Sequence, residues 1–243
     1  MKLKTFSVRT AKEILRDPLN LAFGLGFPLV ILALLTTIQK NVPVSLFELD
    51  ELTPGAAVFG LSFMTLFSAT LISRDRSSSL LQRLFTTPLR AADYILGYTL
   101  PILPMALAQG AICFVFALIL GLEPTFNILV CILGLIPVSV FFIATGLLCG
   151  SIFTDKQVGG ICGALLTNLS AWLSGTWFDL ELVGGAFKKI AYALPYVHAV
   201  ELERALLAGN TSGIFPHLTW VLAYGVGMLV ISVLVFRRKT STV

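Results

Sequence analysis

Charged residues are scarce in this chain, and the places where they gather limit the chemistry open to it. Arg74, Asp75 and Arg76 open a stretch that runs through Leu80, Leu81, Arg83 and Leu84 to Thr87, Pro88 and Leu89. Leu80, Leu81, Leu84 and Phe85 fall at helical spacing, with Ser77, Ser78, Ser79, Gln82 and Arg83 between them. The pattern predicts a short amphipathic helix, broken at Thr86-Thr87-Pro88. Two uses are open to it, lying on a membrane surface or docking into another protein. A second group comprises Leu194, Pro195, Glu201 and Arg204. Glu201 and Arg204 stand at i and i+3. Together with Glu203 they either shape a gate or form a solvated helix face that carries an ion pair.

Catalytic constellations are missing. No glycine precedes a lysine, so there is no phosphate-cradling G-x-x-x-x-G-K-[ST] loop, and neither H-E-x-x-H nor G-x-S-x-G occurs. His198 and His217 are not spaced like a metal pair. Cys113, Cys131, Cys149 and Cys162 all fall in apolar blocks and read as small packing residues. The chain is therefore not expected to be an enzyme or to hold a cofactor of its own. Nothing in it points to nucleic acid.

The elements that carry these residues are apolar blocks of about 20 residues, the length that crosses a hydrocarbon core. Over 243 residues, 56% are hydrophobic and 12% charged, and the mean hydropathy is +0.90. A soluble domain carries roughly a quarter charged residues. Continuous blocks favour helices over a barrel. Six spans are predicted, at about 19–38, 54–73, 94–120, 126–150, 158–178 and 215–236. Pro28, Pro101, Pro104 and Pro137 are tolerated inside them. Thirteen of the 17 lysines and arginines fall on the side of the termini and four on the other. This asymmetry places both termini in the cytoplasm of a multi-pass cell-membrane protein. Apart from His217 at an edge, the predicted spans hold no ionisable Asp, Glu, Lys, Arg or His, so the energy for any transport has to come from elsewhere.

Three segments lie outside the spans. Residues 1–18 mix Phe6, Ile14 and Leu15 with Lys2, Lys4, Arg9, Lys12 and Arg16, as either an interfacial helix or a basic tail. Residues 74–93 form the largest cytoplasmic loop. Residues 179–213 on the outer side suit two short helices around Pro195, either re-entrant or lying on the surface. The expected fold is all-α, a single permease-like domain over 1–243. It has six transmembrane helices, an N-terminal interfacial helix, a cytoplasmic helix between helices two and three, and a helical pair before helix six.

With these segments in order, the chain resembles the permease subunits of type-2 ABC exporters. Ala11-Lys-Glu-Ile-Leu-Arg-Asp-Pro18 looks like the family's interfacial elbow helix and its exit. Arg74 to Leu89 looks like its charged, Leu-rich cytoplasmic motif ending in Thr-Pro-Leu. Ser174-Gly175 is similar to the Ser-Gly before the outer loop, and Leu194-Pro195 with Ala199, Leu202 and Arg204 to the re-entrant stretch. Ser78-Ser79-Leu80 replaces a frequent Gly-Thr-Glu, and the usual proline after Ser-Gly is absent. The resemblance implies two permease chains, a homodimer being expected, over cytoplasmic ATPase subunits that hold the ATP and Mg. The 74–89 stretch would be the coupling helix and Leu194, Pro195, Glu201 and Arg204 part of an outer gate. The cargo would be a drug, an antibiotic peptide, a lipid or a polysaccharide. A membrane-embedded lipid-modifying enzyme and a scaffold or sensor that holds an ATPase without transport are the competing classes.

Overall fold

The structure, a computed structural model, describes residues 2–43, 47–78 and 91–240, and all regular structure among them is helical. Helix α1 (Lys2–Leu15) is amphipathic, burying Phe6, Thr10 and Ile14 while Lys4, Lys12 and Leu15 face outward. Its last turn closes through Asp17 N–H to the Ile14 carbonyl. Pro18 then starts α2 (Pro18–Gln39), since a proline at the first helical position forfeits no intrahelical bond. After α2 come α3 (Leu49–Ser77), α4 (Ala91–Leu120) and α5 (Asn127–Ile152). The last described helix is α11 (Thr211–Thr240).

These five helices are long and apolar enough to cross a membrane. The span expected at 158–178 takes another form. It runs as α6 (Asp155–Val158), a π-helical segment (Gly159–Leu166) and α7 (Thr167–Leu173), and it stops at Ser174, before Phe178. Gly159, Gly160 and Gly163 offer little side-chain packing to hold α geometry, and the Thr167 hydroxyl bonds the Cys162 carbonyl five residues back at 3.0 Å. Other expected bounds shift too. Helix α3 begins five residues before Pro54 and continues through Arg74, Asp75 and Arg76, which belong to the helix and not to the loop. The segment before α11 is α8 (Leu180–Val183), α9 (Gly185–Ala193) and α10 (Pro195–Ala208). Pro195 separates the two longer helices, as expected. Helix α10 is buried among other helices, whereas α9 exposes Ile190 and Tyr192.

Helix α3 is the central post. In its most apolar window 83% of residues are buried, against 22% for α2 and 17% for α11. The outer helices therefore turn apolar stripes outward, Phe23, Phe27, Val30 and Leu34 on α2 and Leu222, Val226 and Val230 on α11. Such stripes suit hydrocarbon, not water. Inside, hydroxyls join the helices. The Thr65 Oγ1 donates to the Phe142 carbonyl at 2.9 Å, Ser68 Oγ to Ile143 at 3.1 Å, and Ser232 Oγ to Ala144 at 2.8 Å. Three successive carbonyls of α5 are thus shared between α3 and α11.

Close approach of α3 and α5 rests on two glycines. A Cβ on Gly146 would stand 2.2 Å from the Thr65 carbonyl oxygen, and one on Gly150 would stand 2.4 Å from that of Ala69. Because these two obstacles are backbone, turning aside the Ser68 hydroxyl that also faces Gly146 would not make room. Gly146→Ala is expected to destabilise by about 1–3 kcal/mol despite alanine's better helix propensity. Gly26→Ala, where the new methyl meets nothing within 4 Å, should leave stability unchanged or slightly raised. Thermal unfolding of the two variants in the same detergent checks the contrast.

Candidate functional site

The two ends of the bundle differ in chemistry. At one end the C-termini of α3, α5 and α11 meet α1, the start of α4, and α6, and most of the described basic residues gather there. This is the basic end. Asp75 sits in its middle, 3% exposed. The Arg9 guanidinium forks onto its carboxylate, Nη1 to Oδ2 at 2.6 Å and Nη2 to Oδ1 at 2.8 Å. The Tyr98 hydroxyl donates to Oδ2 at 2.8 Å. Phe6 packs edge-on to Tyr98 and Tyr94, with ring centroids 5.0 and 5.8 Å apart. One carboxylate thus joins α1, α3 and α4. The bond to Asp75 raises the Arg9 pKa above the usual guanidinium range, and burial lifts the Glu13 carboxyl beside it against the pull of Arg9.

Arg76 turns to the end of α5. It donates to the carbonyls of Gly150 at 3.1 Å, Phe153 at 3.0 Å, and Ser151. It therefore occupies last-turn acceptors that no intrahelical N–H can reach. Arg74 is half exposed, in long ion pairs with Asp17 at 3.6 Å and Asp155 at 3.7 Å. Of the residues expected to meet a partner, Asp75 and Arg76 are thus engaged inside the chain and Arg74 stands at the rim. Leu80, Leu81, Arg83, Leu84, Thr87, Pro88 and Leu89 lie outside the described residues.

At the far end Arg204 of α10 is a second hub. It pairs with Glu51 at 2.7 Å and Glu201 at 2.9 Å, and donates to the Gly175 carbonyl at 3.2 Å. The i, i+3 pair read from the sequence is present, but it is tied to the first turn of α3 and to the turn after α7. Pro195 is buried at the first position of α10, and Leu194 packs partly buried before it. A cleft of about 550 Å³ opens beside Arg204, with Glu48, Asp50, Glu51, Glu123 and Lys40 in its wall.

Two environments could not be read from spacing along the sequence. Glu203, between the two paired residues, is fully buried against Gly134 and Leu206, and neither carboxyl oxygen has a hydrogen-bond partner among the described residues. Burial pushes its pKa well up. Its position one residue from a charged pair disguised it, because helix neighbours at i±1 face different surroundings. The second is the histidine pair. His198 Nε2 donates to the Tyr192 carbonyl at 3.0 Å, so its Nδ1 accepts from His217 Nδ1–H at 2.8 Å. With His198 stacked on Trp220, ring centroids 4.8 Å apart, the pair joins α10 to α11. The direct contact leaves no space for a metal between the rings, and no group of three or more ligating side chains occurs among the described residues.

A multi-pass, all-helical membrane protein is the class this arrangement defines. The family model described as "ABC-2 type transporter" matches residues 1–208, and the chain belongs to that family. No curated protein matches it significantly.

Replacing Arg9 strands a buried carboxylate. Arg9→Ala is expected to cost about 2 kcal/mol, below the ~3–5 kcal/mol of a fully buried pair because Arg9 is over a third exposed. Lys4→Ala, exposed on the same helix, should stay within about 0.5 kcal/mol. Thermal unfolding reads both. Glu203 sets a pH dependence. Its folded pKa is raised, so its contribution is intact below the unfolded value near 4.5 and fades as pH rises towards the folded value. Wild-type stability should fall relative to Glu203→Gln as pH rises above the unfolded value near 4.5. A difference of the opposite sign would show that the carboxyl is stabilised as an anion.

Proposed function

We propose that the chain is the membrane-spanning subunit of an ATP-driven exporter and that its basic end faces a cytoplasmic ATPase. The observation that carries this reading is the family match across residues 1–208, joined to the crowding of arginines and lysines at one end of the bundle. The α6–π–α7 run supplies a sixth crossing, so both termini are cytoplasmic. The α9–α10 pair forms the re-entrant element on the outer side, where Arg204 and Glu201 belong to the exit gate. A second copy of the chain completes the pathway.

The stretch after α3 is the coupling element. Leu80, Leu81 and Leu84 fill a groove on the ATPase, with Arg83 and the half-exposed Arg74 at its edge. ATP and Mg are held by the ATPase. ATP-driven closure of the ATPase pair pushes this stretch. Because Asp75 and Arg76 fasten the end of α3 to α1, α4 and α5, the push reaches those helices together. Apolar, lipid-like cargo suits the many Phe, Leu and Ile side chains of the spans.

The double variant Leu81→Asp/Leu84→Asp is expected to lose at least tenfold in ATPase affinity, with thermal stability unchanged. Co-purification and ATP hydrolysis in proteoliposomes report it. An undiminished complex would remove the coupling role from this stretch.

A further inference from the structure

A cleft of about 750 Å³ lies beneath α1 at the basic end, between that helix, the start of α2 and the last turns of α3. Its volume is within the range of sites that enclose small organic ligands. Its mouth is basic. Arg9, Lys12 and Arg16, spaced i, i+3 and i+7 on one face of α1 and its exit, line it together with Arg74. Glu13 and Asp17 are the acidic lining residues, and they lie against Arg9 at 2.8 Å and Arg74 at 3.6 Å. Lys12 and Arg16 are exposed and make no ion pair among the described residues, so the mouth keeps two uncommitted cations.

The floor is apolar, made by Ile14, Leu21, Phe67 and Leu71. From Arg74 to Phe67 is seven residues, roughly 10 Å along the helix axis. That depth matches a step from headgroup to the upper acyl chain. Helix α2, which forms one wall, continues into the exposed stripe Phe23, Phe27 and Val30 that suits hydrocarbon. A free anion would satisfy the mouth and leave the floor empty. An uncharged amphiphile would fill the floor and leave Lys12 and Arg16 without a counter-charge.

We propose that this cleft binds one anionic phospholipid of the adjoining leaflet, its phosphate between Lys12 and Arg16 and its upper acyl chain against Leu21, Phe67 and Leu71. The lipid then bridges α1 and α3 beside the Arg9–Asp75 pair, so that the anionic lipid content of the membrane sets how firmly α1 is held. This holds whether or not an ATPase docks on the same end.

Native mass spectrometry of the full chain with phosphatidylglycerol and phosphatidylcholine tests it. A cation near an anionic headgroup is worth about fivefold. Wild type is expected to prefer phosphatidylglycerol at least about fivefold, with Lys12→Gln/Arg16→Gln losing that preference. Val8→Glu should lose it too, since Val8 is an exposed lining residue whose exchange does not disturb the core. Lys4→Gln, equally basic but outside the cleft, should keep it. Displacement of the lipid by millimolar inorganic phosphate would reduce the cleft to an anion site and overturn the proposal. Preference surviving in Lys12→Gln/Arg16→Gln would place the lipid elsewhere. Equal binding of the two lipids would mean that something other than an anionic headgroup, such as an apolar segment of another protein, belongs there.

Discussion

The organisation of the basic end depends on one buried carboxylate. Asp75 lies where three helices converge, and a charge so placed is tolerable only if its partners are close and well aimed. The forked guanidinium of Arg9 and the hydroxyl of Tyr98 meet that requirement from α1 and α4. The cost of leaving the carboxylate bare is what holds an amphipathic helix, otherwise free to slide on a membrane surface, against the end of α3. Phe6 wedged on Tyr94 and Tyr98 fixes the rotation of α1 about its axis.

Helix α3 is held by the same logic along its length. Arg76 binds it to the open carbonyls ending α5, and the glycines of α5 let the two backbones touch midway. Arg204 grips its first turn from α10. A post secured at both ends and the middle moves as a unit. Glu203 stands apart from this economy of pairing. It is a buried carboxyl with no hydrogen-bond partner among the described residues, on the helix that α3, α5 and α11 enclose.

Much of this fold was legible in the residues. Five apolar blocks became the five long helices because block length and hydropathy reflect the thickness of the solvent they must cross. Helix ends were less legible. Arg74, Asp75 and Arg76 looked like the start of a loop because a helix end in a membrane protein is read from where charge resumes. Here Asp75 finds a donor 66 residues before it and Arg76 an acceptor 74 residues after it along the chain. The fifth block hid its π register, since spacing along a sequence does not reveal which backbone bond each turn makes. For the functional site, the Glu201–Arg204 pair could be read from local spacing. The Arg9–Asp75 fork, the Glu51 partner of Arg204 and the His198–His217 contact could not, because each joins residues on different helices. Family resemblance singled out residues 74–89 by their order along the chain, a kind of information that pairwise physics within one stretch does not contain.

The most direct test of this account is a double-mutant cycle on Arg9 and Asp75, using Arg9→Ala, Asp75→Asn and the pair, read as unfolding free energy in a fixed lipid or detergent. If the fork holds α1 on the bundle, the two changes will be strongly non-additive, with a coupling of about 1.5 kcal/mol or more. Additive losses would show that α1 is held by its apolar face alone and that the buried carboxylate does not organise this end of the protein.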